Sequence, residues 1–222
     1  QIGRHIRHED VRQCVEMQWV TNGPLRQALR VKYRVASSTV EATYTLDKSA
    51  DALRVDTMVD WHEIGGQTIP VLDYRVPLSY RPERFQYDVA AGYTHRAAIE
   101  NDVPALQYGL AEREGAPCAI LMSDCKYGYR GSTDRLAITL INSSTSPDPY
   151  PERGVHRFVL ALGGCAANPA LAGQMATRFT HGMTYQSGTF HKGTLPMKAG
   201  LLSLESGEVV VSAVMPDGDS VL

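Results

Sequence analysis

The sequence predicts an all-β chain folded as a large antiparallel β-sandwich, with at most one or two short helices. Three observations carry this. Apolar and polar residues alternate with period two, short turn-rich links separate the alternating runs, and one segment alone has helical spacing and a helix cap.

The alternation is clearest near the start. Leu29, Val31, Tyr33 and Val35 alternate with Arg30, Lys32 and Arg34. Val40, Ala42, Tyr44 and Leu46 then alternate with Glu41, Thr43, Thr45 and Asp47, and Leu53, Val55 and Val59 are set against Arg54, Asp56 and Asp60. A repeat of two puts one face on a core and the other in water, as in an antiparallel sheet with one wet side. Ser37-Ser38 and the stretch 47–51 are short, polar connections, so a meander is the simplest path.

Further strands are predicted at Thr68–Leu78, Gln86–Val89, Leu106–Arg113, Cys118–Ser123, Arg135–Ile141, His156–Leu162, Leu201–Leu204 and Glu208–Met215. Gly65-Gly66, Arg81-Pro82, Gly115 to Pro117, the proline-rich stretch 143–151 and Ser206-Gly207 punctuate them. The one predicted helix covers 169–180. Asn168 is its N-cap, Pro169 its first residue, and Leu171, Met175 and Phe179 share a face.

Composition narrows the function. A charged fraction of 21% against an apolar fraction of 43% describes a globular chain rather than a disordered one. A net charge of −2 gives no basis for a nucleic-acid or anionic-membrane partner. No apolar run is long enough for a transmembrane helix, and no basic-then-apolar leader is visible. At 222 residues the chain reads as a single sandwich domain over 1–222, with a minor subdivision near 165–222. It begins at Gln1 and stops within a strand-turn-strand pattern, so a C-terminal fragment of a longer multidomain protein is expected. Four cysteines without CxxC spacing imply reduced thiols in a cytoplasmic protein, Cys118 and Cys125 being the pair that could meet across a bend.

No G-x-S-x-G elbow, P-loop or dinucleotide fingerprint is present. His8 and Asp10 have a spacing suited to zinc, but a charged segment near a terminus is more simply a solvated tail, so no metal site and no catalytic residue is assigned. Asp60-Trp61-His62-Glu63 could offer a sugar-stacking ring flanked by carboxylates; an anchoring tryptophan at a sandwich edge is the simpler reading. Ser123 to Arg130 sets Tyr127 and Tyr129 around Gly128 beside Asp124 and Lys126. Such tyrosines suit sugar rings, or close the end of a core. The Arg30, Lys32 and Arg34 stripe reads as a solvated strand face.

Three segments in register resemble the family 38 glycoside hydrolases, which are α-mannosidases. Leu53 to Glu63, ending Val-Asp-Trp-His-Glu, is similar to a strand of that family. Ala119 to Tyr129 resembles its Leu-Leu-Asn-Asp-x-Lys-Tyr-Gly-Tyr segment, with Ser123 in place of the asparagine. Arg135 to Pro149, followed by Gly154-Val-His-Arg-Phe158, resembles a third, with Asn142 and Ser144 where arginine and proline are common. The family's His-x-Asp-x-x-Trp zinc motif is not met, because Gln13 stands at the tryptophan position.

The resemblance implies a supersandwich of the galactose mutarotase type. It also implies that this chain is the C-terminal region of a zinc-dependent, retaining enzyme acting on terminal α-mannosides. The zinc and the catalytic residues would then lie in an N-terminal catalytic domain, with no cofactor held here. That domain and mannose-containing glycans are the implied partners, and the full-length enzyme could be a homo-oligomer. Asp124, Lys126, Tyr127 and Tyr129 are the residues expected to line the cleft, with the 143–149 loop, including Ser143 and Asp148, as second choice. The rival reading is a free-standing carbohydrate-binding sandwich using Trp61 and the tyrosine pair.

Overall fold

In a computed structural model, residues 12–221 are described apart from 116, 146, 147, 149, 183, 185, 190, 191, 195, 201, 206–210, 212 and 219. Two antiparallel sheets face one another, as predicted. The larger contains β1 (Arg12–Asn22), β2 (Arg26–Val35), β3 (Ser38–Asp47) and β4 (Ala52–Trp61) as a meander. It also contains β6 (Arg84–Val89), β7 (Gly92–Arg96), β9 (Tyr108–Glu112), β10 (Cys118–Ser123) and β13 (Gly154–Cys165). Its order is β1-β2-β3-β4-β13-β10-β9-β6-β7. The smaller sheet has the order β5-β12-β11-β8, from β5 (Val71–Pro77), β8 (Ile99–Pro104), β11 (Gly128–Ser132) and β12 (Arg135–Asn142). A two-stranded ribbon joins β14 (Pro216–Asp217) to β15 (Ser220–Val221).

The core lies between the sheets. Val55, Val59 and Trp61 of β4, Leu121 of β10, and Phe158 and Leu160 of β13 meet Tyr129, Leu136, Ile138 and Leu140 of the smaller sheet. Gly131 of β11 is required here, because a Cβ at that position would overlap the ring of Phe85. β13 is the strand that unites the halves of the large sheet. It pairs with β4 along one edge (Gly154↔Trp61 to Gly163↔Ala52) and with β10 along the other (Ser123↔Leu160 to Cys118↔Cys165).

Four strands spaced about 4.8 Å apart cover less than half the width of nine. The core-side face of the large sheet therefore runs on past its cover. The row Trp19, Leu29, Tyr44, Val55 and Leu160 is one line of cross-strand neighbours on that face. Val55 and Leu160 are fully buried, while Trp19 is 56% exposed and Met17, beside Val31, is 61% exposed. The large sheet thus ends in an uncovered apolar margin.

The opposite face of the large sheet carries α1 (Pro169–Thr180), which packs over β9, β10 and β13. Its predicted start is as expected: the Asn168 side chain accepts hydrogen bonds from Ala170 N (2.9 Å) and Leu171 N (3.2 Å), with Pro169 first. Its buried stripe differs. Ala170, Ala172 and Ala176 are buried, Met175 and Phe179 pack partly, and Leu171 faces outward. Replacing Asn168 by alanine is expected to lower stability by about 1 kcal/mol, read from the urea midpoint at unchanged slope.

β1, β7, β8 and β11 were not anticipated. Of the strand predicted over 201–204, residues 202–204 are not in a strand, and of that over 208–215, residues 211 and 213–215 are not either; the remaining positions lie outside the described residues. Every strand pairing described is antiparallel.

Candidate functional site

The loop from Asp124 to Tyr127 joins β10 of the large sheet to β11 of the small one, and its backbone is tied down at every step. The Ser123 hydroxyl accepts from Cys125 N (3.3 Å) and Lys126 N (2.9 Å). Asp124 N donates to Val159 O (3.1 Å), and its carboxylate accepts from Val159 N (3.0 Å), which clamps the loop to β13. Ala105 N donates to Tyr127 O (3.0 Å). The neighbouring turn is held by Asp88, whose carboxylate accepts from the backbone N–H groups of Leu106, Gln107 and Tyr108.

The four residues predicted to line the cleft divide into two roles. Tyr127 is 57% exposed and Asp124 is exposed, while Lys126 places Nζ 5.4 Å from the centre of the Phe158 ring. Tyr129 is not at the surface. It is fully buried, donates its hydroxyl to Gln107 O (2.8 Å) and sits 6.4 Å, centre to centre, from the ring of Tyr87. Burial pushes its phenol well above the usual range. Tyr129 is thus an anchor under the loop, because alternation along β11 turns it inward while Gly128 and Arg130 face out. Cys125 lies within the loop, and its thiol is pushed up to about 11 by partial desolvation and then by its hydrogen bond to Asp124.

Asp124 also edges an open concavity of about 320 Å³ on the outward face of the large sheet, beside Glu41, Thr43, Asp56 and Arg157. The concavity offers hydroxyl, carboxylate and guanidinium groups, the set that exchanges hydrogen bonds with a polyhydroxylated ligand.

The second-choice residues lie apart from this loop. Val159, which holds Asp124, is five residues along β13 from Gly154, a span of roughly 17 Å. Ser143 is buried there: Trp61 Nε1 donates to Ser143 Oγ (2.9 Å), and Ser143 Oγ donates to Glu63 O (3.2 Å). Asp148 is exposed and accepts from Tyr150 N (2.9 Å); residues 146, 147 and 149 lie outside the described residues.

Trp61 belongs to the core rather than to a sandwich edge or a sugar platform. Its neighbours are structural too. Glu63 accepts from Ser37 N (2.8 Å) and Ser38 Oγ (2.9 Å), which fastens the β2–β3 turn, where Ala36 takes a φ of 51°. Asp60 pairs with His62 at 3.1 Å.

Two charged networks were not foreseen from the sequence. On the outward face of the small sheet, Arg130 spans Asp73 (2.6 Å) and Asp102 (3.1 Å), and Arg75 also reaches Asp73 (3.0 Å). The side chains of Asp73 and Arg130 are only 7% and 10% exposed. At the β7 edge, buried Glu112 binds both Arg84 and His95. Both join residues distant in sequence, so spacing alone could not reveal them. His5, His8, Glu9 and Asp10 lie outside the described residues. Among the described residues, no three His, Cys, Asp or Glu side chains converge as a metal site. Nor is any described helix long and apolar enough to cross a membrane.

Comparison with known proteins bears on most of the chain. The family described as glycosyl hydrolases family 38 C-terminal domain matches residues 4–150. Alpha-mannosidase G of Dictyostelium discoideum is 25% identical over 164 residues, covering 64% of this chain and 14% of the relative. Alpha-mannosidase 2C1 of Mus musculus is 24% identical over 159 residues, with the same two shares of 64% and 14%. The solved structure of an alpha-mannosidase from Enterococcus faecalis V583 superimposes with a TM-score of 0.66 at 13% identity, over 84% of this chain and 26% of that one. A family 38 glycosyl hydrolase structure from Enterococcus faecalis gives 0.65, also at 13% identity, over 84% and 27%. At such identity the two structures speak to the fold alone. This chain spans about a seventh of the length of its curated relatives.

Proposed function

Because this chain belongs to the family of glycosyl hydrolase family 38 C-terminal domains, we propose that it is the C-terminal domain of a longer, zinc-dependent, retaining α-mannosidase. Its role there is to buttress the catalytic domain and to present the 124–127 loop to the cleft. The observation that carries the buttressing role is the uncovered margin of the large sheet. Trp19 and Met17 continue a face whose other residues form the core, and a neighbouring domain of the same polypeptide is the natural cover for such a surface.

The chemistry is divided between the two parts. In this reading the metal and the carboxylates of the reaction belong to the longer protein's catalytic domain. There zinc would supply charge to grip sugar hydroxyls. What this region contributes is position. A loop pinned to β13 through Asp124 and anchored beneath by Tyr129 can hold Tyr127 and Lys126 against a sugar with little ordering cost. The substrates in this reading are mannose-containing glycans.

Two substitutions in the full-length enzyme test the two roles separately. Trp19→Lys places a charge on the margin. It is expected to loosen domain docking, seen as faster limited proteolysis between domains and at least a several-fold fall in kcat/KM on an α-mannoside. Unchanged proteolysis and unchanged kinetics would sink the buttressing role. Tyr127→Ala removes an exposed ring without touching the core, and is expected to reduce kcat/KM about tenfold, roughly 1.4 kcal/mol of transition-state contact. Wild-type kinetics in that variant would remove the loop from the cleft. Tyr129→Ala would not serve, since losing a buried anchor lowers activity through stability alone.

A free-standing sugar-binding module is the weaker reading. It needs an exposed row of planar rings. Of Trp61, Tyr127 and Tyr129, only Tyr127 is exposed.

A further inference from the structure

Cys118 and Cys165 stand directly opposite each other. Cys118 opens β10, Cys165 closes β13, and the register pairs the two positions without an intervening bulge. Cross-strand partners in an antiparallel pair point to the same face, and both side chains join the cluster beneath α1 with Ala172 and Ala176. Directly opposed residues have Cα atoms about 4.5–5.5 Å apart, within the range of about 4.4–6.8 Å that a disulfide requires. Both are reduced in this structure. Cys125, the partner suggested by sequence, is exposed at the far end of β10, and Cys14 is exposed on β1.

We propose that Cys118 and Cys165 form a redox-responsive cross-strand disulfide that clips β10 to β13 where the chain leaves the sheet for α1. The oxidant is a low-molecular-weight disulfide. One cysteine thiolate attacks a sulfur of the small disulfide and releases one small thiol, leaving a mixed disulfide. The second cysteine then attacks the protein sulfur of that adduct and releases the other small thiol. The protein S–S bond replaces the small-molecule S–S bond, and the two cysteine protons end on the two released thiols.

The surroundings set the rate. Burial raises the Cys165 thiol, with Cys118 adding to the effect. Cys118 is further engaged with the β9–β10 hairpin: Arg113 N donates to its sulfur (3.4 Å), and its S–H reaches Arg113 O (3.6 Å). Closure therefore waits for α1 to lift and for a thiolate to form, and is faster at mildly alkaline pH. In a reducing compartment the pair remains a dithiol and closes only under oxidative load. Once closed, the link joins residues on either side of β11 and β12, a long loop whose unfolded state it restricts.

The test uses the full-length protein, incubated folded with glutathione disulfide, quenched, alkylated and mapped by mass spectrometry. The expected result is a linked peptide joining Cys118 to Cys165, reversed by dithiothreitol. A rise in apparent Tm of roughly 5–10 °C should accompany it. Cys165→Ser should lose both the link and the rise, and Cys165→Ala serves equally if serine in that apolar slot prevents folding. Asn168→Ala, which frays the start of α1, should speed closure several-fold. The proposal is overturned if the 118–165 link is absent in both the wild type and the Asn168→Ala protein. It is overturned equally whether glutathione then sits on Cys14 and Cys125 alone or the mapped link joins Cys118 to Cys125.

Discussion

Replacing Arg130 by alanine is expected to destabilise the domain by about 3 kcal/mol, because Asp73 would keep its burial and lose its shortest ion pair. Arg130 lies in β11 between Asp73 of β5 and Asp102 of β8, so its guanidinium ties together strands from both edges of the small sheet. Arg75 remains beside Asp73 after the change and keeps the loss near the lower end of the range for a broken buried pair. Lysine is not a sufficient substitute, since one ammonium cannot address two carboxylates with the geometry of a planar fork. The Thr139 hydroxyl, which donates to Asp102 (2.9 Å), would not offset the missing charge. Urea unfolding should move the midpoint of Arg130→Ala far more than that of Arg135→Ala. Arg135 pairs with Glu100 at 3.4 Å where both side chains are substantially exposed. Equal shifts for the two variants would place the Arg130 network among ordinary surface pairs.

Trp61→Ala should be comparably severe, at about 3–5 kcal/mol, from the cavity left by a buried indole. It would also remove the donor that meets Ser143 Oγ and loosen the stretch around Glu63 that fastens the β2–β3 turn. Trp61→Phe keeps most of the packing and should cost about half as much. The two tryptophans make a spectroscopic check available. In the 222-residue chain by itself Trp61 is buried and Trp19 is exposed, so Trp61→Phe should leave red-shifted emission from Trp19, with little further shift on unfolding. Emission that stays blue would mean that Trp19 is covered.

The parts of the fold that sequence revealed are those where one rule acts alone. In β2, β3 and β4, alternation reports a single wet face, and Asn168-Pro169 reports a helix start. β1 was missed because its alternation, Val15, Met17 and Trp19 against Glu16 and Gln18, is short and bounded on both sides by apolar neighbours, Cys14 and Val20, at the two bulges. β8 was missed because a mostly exposed edge strand has no buried face to mark. β11, Gly128–Ser132, looks like a turn. Its glycines in fact admit close neighbours, Gly131 the ring of Phe85 and Gly128 the carboxylate of Asp102.

The candidate site was legible to the same degree. The Asp124, Lys126 and Tyr127 cluster is local and could be seen. The inward turn of Tyr129 and the burial of Ser143 under Trp61 depend on partners far along the chain. The pairing of Cys118 with Cys165 is of the same kind, since a register must exist before the two residues become neighbours.

The central place of β13 has a consequence for synthesis. β4 is complete at Trp61, but the strand that covers its free edge begins only at Gly154. At about 5–20 residues per second, the ribosome takes roughly 5–20 s to make the intervening ninety or so residues. During that interval a finished meander presents an unpaired edge and the apolar flank of Val55 and Val59 to solvent or to a chaperone. Nascent chains that stall before Gly154 should be the aggregation-prone species, and those that stall after Cys165 should already be protected.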